Sequence, residues 1–337
     1  MSDSNRVSAC ITSIYTSVPS NRIDNLNDIN LNRKQAEKVL ENTGIRFRYK
    51  ANKETSSDLC YFAASKLLVE CDLDKNNIEF LVFVSQTPDY ILPATAAILQ
   101  DRLGLPKSVA AFDVNMGCSG YIYGLSIISS LIQTSTNKNA AGLLLVGDTI
   151  SKICDINDTA TYPLFGDAGS ATLIERSDDN EMVFDMNTDG GGCDAIKVKY
   201  GGFKNFNEIK PISLHLNGMD VFSFGITTVP KALKRFIKEL KINTEEIDFF
   251  IFHQANKFMN EKIRKKIKAL PEQVPYSLHD FANTSSATIP LTLTTQVKKV
   301  ERDLQLLLCG FGVGLSWGSA FLTLKKGSVL KHIIYDE

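Results

Sequence analysis

The feature that most constrains this chain is an echo of its first half in its second. Residues 73–83 are matched by residues 242–252, and Ile78 finds its counterpart 169 positions on, at Ile247. Each segment ends as an apolar strand entering a polar loop. Residues 112–120 are echoed by residues 278–286, where Asn283 stands 165 positions after Cys118. Both passages lead into helical runs rich in small residues. The apolar run 143–146 corresponds to 306–309, and the turn 165–171 to the Gly-rich 311–318. Features recurring in the same order at nearly constant offset indicate a duplicated αβ unit, not a solenoid of short repeats. Short β-rich runs alternating with longer helical stretches make the class α/β, with strands buried on both faces. The expected halves are residues 1–175 and 210–337, joined by a connecting segment 176–209 punctuated at residues 177–180 and by Gly190-Gly191-Gly192. Two such halves packed face to face bring equivalent loops to one central site.

Composition narrows the function classes. Lys and Arg number 37 against 38 Asp and Glu in 337 residues, so the basic excess that nucleic acid requires is missing. A 44% hydrophobic content supports a large core. Seven cysteines, with no CxxC pair and no ligand-like spacing to the four histidines, argue against a disulfide framework and against a metal site. Met1–Arg6 is polar and the apolar runs fall short of the about 18 residues a membrane span needs, so a soluble, cytoplasmic protein is expected.

Catalytic residues in α/β folds favour the carboxyl ends of strands. Cys118 lies there, and a helix beginning at Cys118 would aim backbone N–H groups and its positive dipole end at the sulfur, favouring thiolate. Gly117 and Gly120 permit a tight turn beside it. The other six cysteines read as packing residues. His253 occupies the matching strand end in the second half, whereas His215, His279 and His332 have weaker settings. Asn283 takes the place of Cys118 in the repeat, and its amide can donate to a developing oxyanion.

Thr43-Gly44-Ile45-Arg46, Asn115-Met116-Gly117-Cys118-Ser119-Gly120, Phe165-Gly166-Asp167-Ala168-Gly169, His253-Gln254-Ala255-Asn256, Asn283-Thr284-Ser285 and the run from Gly310 to Ala320 together resemble one family. It is β-ketoacyl-acyl-carrier-protein synthase III, among the thiolase-like condensing enzymes. The resemblance implies a thiolase-like fold of duplicated αβ halves in a layered αβαβα arrangement. It further implies a ping-pong acyltransferase, needing neither metal nor cofactor. An acyl thioester loads Cys118, with N–H groups of Cys118 and Val313 receiving the oxyanion. Malonyl-carrier then loses CO₂ while His253 and Asn283 hold the enolate that attacks the acyl-enzyme. Phe311 would line the site, and Gly312 and Gly314 would let backbone approach the thioester.

The same resemblance implies an acyl carrier protein as partner, acyl-CoA as a possible donor and a homodimer. Family members that use acetyl-CoA carry a Trp and an Arg for the adenine before Thr-Gly-Ile-Arg. Residues 38–42 hold neither, which leans toward a carrier-bound donor and a specialised product. Leu92 takes the place of an aromatic that in some members floors the partner's acyl pocket. Lys257, Arg264, Lys265 and Lys268 form the expected docking face for an acidic carrier. Two other outcomes stay open: transfer of the acyl group to an alcohol or amine without decarboxylation, and a non-catalytic partner subunit. Hydroxymethylglutaryl-CoA synthase chemistry is disfavoured because Gln86-Thr87-Pro88 stands where that reaction needs a Glu. Thiolase chemistry is disfavoured because Gly310-Phe311-Gly312 offers no second Cys.

Overall fold

Alternation along a strand sends successive side chains to opposite faces, and here both faces are covered. The computed structural model describes residues 5–28 and 30–336, so most of the Met1–Arg6 segment lies outside the described residues. Nine strands form one hydrogen-bonded network: β1 (Asn5–Val18), β2 (Ile78–Val84), β3 (Ala110–Val114), β4 (Ala141–Asp148), β5 (Ala168–Thr188), β6 (Phe249–Phe252), β7 (Leu304–Gly312), β8 (Ser316–Leu324) and β9 (Val329–Ile334). The helices that matter for the site are α1 (Arg33–Thr43), α2 (Ser56–Glu70), α3 (Gly120–Thr134), α4 (Gly218–Leu240), α5 (Lys257–Ile267), α6 (Leu278–Phe281) and α7 (Thr288–Thr292).

Topology repeats within the network. In the first half β2 runs parallel to β3 and β4, β4 antiparallel to the front of β5, and β5 antiparallel to β1. In the second half β6 runs parallel to β7, β7 antiparallel to β8, and β8 antiparallel to residues 182–188 of β5. Each half is therefore closed by a strand that precedes it in the chain. Leu81 and Phe83 pack under α2, while Val82 and Val84 face α3. Leu307 and Cys309 likewise pack with Phe236 of α4, and Leu306 and Leu308 turn inward. The result is five layers, with α3 in the middle.

A helix in that position must be apolar all round. Tyr121, Ile122, Leu125, Ile128 and Ile132 of α3 are all fully buried, and their burial contributes on the order of 10 kcal/mol before chain entropy is set against it.

Three expectations change. Residues 278–286 have no ladder strand like that of residues 112–120: residues 278–281 are the short helix α6, and positive φ values of 61° at Ala282 and 52° at Ser285 follow it, leaving a single bridge between Asn283 and Phe165. The segment 176–209 is strand in its first part, because residues 181–188 pair with β1 and β8; only residues 177–180 bulge, where the register with β1 jumps between Ser8 and Ala9. Cys193 is exposed and packs nothing, whereas Cys60 and Cys309 are core residues. Among the described residues no helix is long and apolar enough to cross a membrane.

Candidate active site

After β3 the chain turns at Gly117, where a Cβ would lie 2.2 Å from the Gln86 Oε1 and 2.6 Å from the Val313 side chain. A larger residue there would have to displace both side chains. Cys118 follows, and α3 starts two residues later than expected, at Gly120. The backbone N–H groups of Cys118 and Val313 are directed at the sulfur, and the Ser285 hydroxyl lies 4.0 Å from it. At Gly312 a Cβ would meet the Cys118 Cβ at 2.7 Å, so strand β7 supports the nucleophile through bare backbone.

Burial pushes the Cys118 thiol up to about 12, the Asp148 carboxylate adds to the rise, and the hydrogen bonds from Ser285, Val313 and Cys118 itself only partly oppose it. Burial thus favours the thiol form of Cys118, where the sequence led to the expectation of a thiolate.

His253 leaves β6 with its N–H on the Cys309 carbonyl at 2.8 Å, and Asn260 Nδ2 donates to the His253 carbonyl at 3.0 Å. Its Nδ1 lies 2.8 Å from the Thr288 Oγ1, which leaves Nε2 for the cavity, and Phe311 packs edge-on at 5.5 Å. Burial pulls the imidazole down to about 3, against a raising contact with the Ser285 carbonyl, so His253 is neutral. Asn283 Oδ1 accepts the Ser285 N–H at 2.9 Å, which turns the amide nitrogen to the open side.

These residues surround a cavity of about 900 Å³, walled by Cys118, His253, Asn283, Phe311, Gly312 and Val313. Ile150, Leu164 and Phe165 form an apolar inner wall, and the exposed Glu41, Asn42, Met219 and Phe258 stand at the mouth. Phe222 stacks on Phe258 at 5.7 Å.

Other expected residues lie elsewhere. Gly314, at φ 136°, serves the turn between β7 and β8, where a Cβ would meet the Ser316 nitrogen at 2.9 Å; it is not part of the cavity wall. Leu92 is 78% exposed on the loop after β2, outside the cavity of its own chain. Lys257, Lys265 and Lys268 are exposed along α5 and its end. Arg264 is half-buried and committed: its guanidinium holds Glu261 at 2.8 Å and donates to the Ala269 carbonyl at 2.9 Å, so it presents little charge for docking.

Sequence reasoning missed Asp148, Thr288 and the inward aim of Gln86. Asp148 ends β4 fully buried, accepting from the Gln86 N–H at 2.7 Å and the Ser286 hydroxyl at 2.6 Å, and so ties the two halves together behind the sulfur. A carboxylate at the end of an all-apolar strand was a readable signal, by the rule that found His253.

Comparison with known proteins now bears on this geometry. Residues 112–190 match the family model 3-oxoacyl-[acyl-carrier-protein (ACP)] synthase III, and residues 237–324 match its C-terminal counterpart. The chain is 31% identical to a β-ketoacyl-[acyl-carrier-protein] synthase III of Campylobacter fetus over 93% of its length and 98% of the relative's. It is 29% identical to that of Lactococcus lactis, over 94% and 99%. The crystal structure of a 3-oxoacyl-(acyl-carrier protein) synthase from Burkholderia xenovorans superposes with a TM-score of 0.93 at 37% identity, covering 99% of both chains.

Proposed function

The chain belongs to the 3-oxoacyl-acyl-carrier-protein synthase III family, thiolase-like acyltransferases, and we propose that it loads an acyl group on Cys118 and condenses it with malonyl-carrier. The observation that carries this reading is the convergence of Cys118, a neutral His253 and an inward Asn283 amide on one cavity. As the sulfur attacks a thioester carbonyl, its proton passes to His253 Nε2. The N–H groups of Cys118 and Val313 receive the oxyanion, and the departing thiol retrieves the proton. His253 then gives its Nδ1 proton to solvent and takes one at Nε2. Malonyl thioester loses CO₂, and His253 Nε2–H with Asn283 Nδ2–H holds the enolate oxygen. The carbanion attacks the acyl carbonyl, and Cys118 leaves as thiolate and takes a proton from solvent. Each enolate donor is worth about 3 kcal/mol, by comparison with a single oxyanion-hole donor.

A carrier-bound donor fits the mouth better than CoA. Glu41 and Asn42 stand there in place of cations for a nucleotide, next to apolar Met219 and Phe258. Lys257, Lys265 and Lys268, joined by Lys262 lying 5.1 Å from the Phe258 ring, supply the basic face for an acidic carrier. The exposed Tyr90, Ile91 and Leu92 are the segment a second copy would cover in a homodimer.

The test is intact-mass analysis after incubation with acyl-carrier, acyl-CoA and small acyl thioesters, followed by malonyl-carrier with CO₂ release measured. A mass gain on the wild type, none on Cys118→Ala, and CO₂ matched to product is the expected pattern. An adduct that persists in Cys118→Ala would reject the covalent step, and transfer without CO₂ would reject condensation.

A further inference from the structure

Away from the mouth, Gln86 lines the cavity with a carboxamide for which the acyl-transfer chemistry has no use. Its backbone N–H is fixed on Asp148 at 2.7 Å, and its side chain lies against Gly117, whose added Cβ would be 2.2 Å from Oε1. Gln86 thus enters the cavity one residue away from the nucleophile. Among the described residues the carboxamide has no hydrogen-bond partner, and the same cavity is lined by the apolar Ile150, Leu164 and Phe165. The carboxamide is only partly buried and opens on the cavity, where it can bond whatever polar group a ligand brings. A wall built only to hold a hydrocarbon chain would carry Leu or Met here.

The charge pattern selects the partner. Asp148, behind Gln86, disfavours an anion, and its oxygens are already taken by the Gln86 N–H and the Ser286 hydroxyl, so it offers nothing to a cation. A carboxamide both donates and accepts, which suits a hydroxyl that does the same. Consecutive Cα atoms stand about 3.8 Å apart. A side chain resting against Gly117, the residue before Cys118, lies beside the thioester end of an acyl group carried on Cys118.

We propose that Gln86 is a specificity residue that holds a hydroxyl on C2 or C3 of the acyl group, and that the donor is a hydroxyacyl thioester. This rests on Cys118 being the acyl acceptor. A site with a dedicated polar partner discriminates strongly against the analogue lacking the group.

The probes are butyryl, 2-hydroxybutyryl and 3-hydroxybutyryl thioesters of N-acetylcysteamine, offered to wild type and to Gln86→Leu and Gln86→Met, with acylation followed by intact mass. The ratio of hydroxylated to plain donor, taken on one preparation, is independent of how much of that preparation is folded. The expected result is a wild-type preference of tenfold or more for one hydroxybutyryl donor, falling to threefold or less in both variants. A wild-type ratio near one, or a preference that survives both substitutions, overturns the assignment of Gln86 while leaving Cys118 loading intact. Absence of an adduct from all three donors on the wild type overturns the loading step and this proposal with it.

Discussion

Burial favours the neutral forms of both Cys118 and His253, and under the proposed reaction that places the division of labour between the half-reactions on Thr288. Loading Cys118 needs an unprotonated Nε2 on His253, whereas holding an enolate needs Nε2–H, so the ring must serve in both tautomers. Thr288 Oγ1 sits 2.8 Å from Nδ1 and 3.1 Å from the Ser285 carbonyl. Its single proton goes either to Nδ1, leaving Nε2–H, or to Ser285, letting Nδ1–H donate to the hydroxyl oxygen. Exchanging the two states takes a proton off one ring nitrogen and puts one on the other through solvent, and the Thr288 hydroxyl rotates to match. In Thr288→Val the Ser285 carbonyl still accepts from a ring N–H, and the Nε2–H form loses the hydroxyl that donates to Nδ1. Acylation by a small thioester should then stay within about threefold of wild type, while malonyl decarboxylation falls by roughly ten- to a hundredfold, as expected when an oxyanion donor is lost. Rapid-quench measurement of the two half-reactions separates them. An equal loss in both would mean that Thr288 only packs.

At the scale of elements, β7 and α3 explain where the glycines fall. Gly weakens a strand, yet β7 carries Gly310 and Gly312 in succession, and each faces the start of α3: a Cβ would lie 2.8 Å from the Ser119 Cα at Gly310 and 2.7 Å from the Cys118 Cβ at Gly312. The nucleophile's turn rests on this bare stretch. Gly312→Ala must move Cys118, and a displacement near 1 Å costs about a hundredfold in acylation rate, while overpacking costs about 1–3 kcal/mol of stability. Acylation kinetics read beside thermal melting should show a folded protein that loads slowly; wild-type loading would mean that β7 yields instead. Those glycines, like the strand ends carrying Cys118 and His253, were legible because close approach and strand termination leave local marks in sequence. The protonation of Cys118 was not, since desolvation by α3, β7 and the Ser285 turn is summed over segments far apart in the chain. Arg264 misled for a related reason: a run of cations shows charge but not that Glu261 and the Ala269 carbonyl already consume it.

For the molecule as a whole, the chain ends where it began. β9 lies parallel to β1, pairing Ser13–Val18 with Val329–Ile334, so the last strand locks the first half. His332 sits at that closure, with Nδ1 3.1 Å from the Thr16 hydroxyl and its ring edge-on to Phe281 at 5.0 Å, just before the turn that carries Asn283. Burial lowers His332 to about 4 and His253 to about 3. With folded pKa values depressed below the unfolded value near 6.5, the unfolded chain takes up protons first as pH falls. Stability is fully present above pH 6.5 and is lost as pH drops toward 4 and then 3, by about 1.4 kcal/mol per pH unit for each imidazole. Asp167, raised to about 6 by burial, acts in the opposite sense over part of that range, so the comparison must isolate one histidine. His332→Asn keeps a polar partner for Thr16 and does not titrate. It should be less stable than wild type at pH 7, having lost the contact with Phe281, yet lose about 1.6 kcal/mol less than wild type between pH 6.5 and 5. Urea unfolding midpoints at the two pH values measure this. Equal falls in both proteins would show that His332 takes its proton while the closure is still folded, and that the strand pairing at the chain ends opens to water more readily than its burial implies.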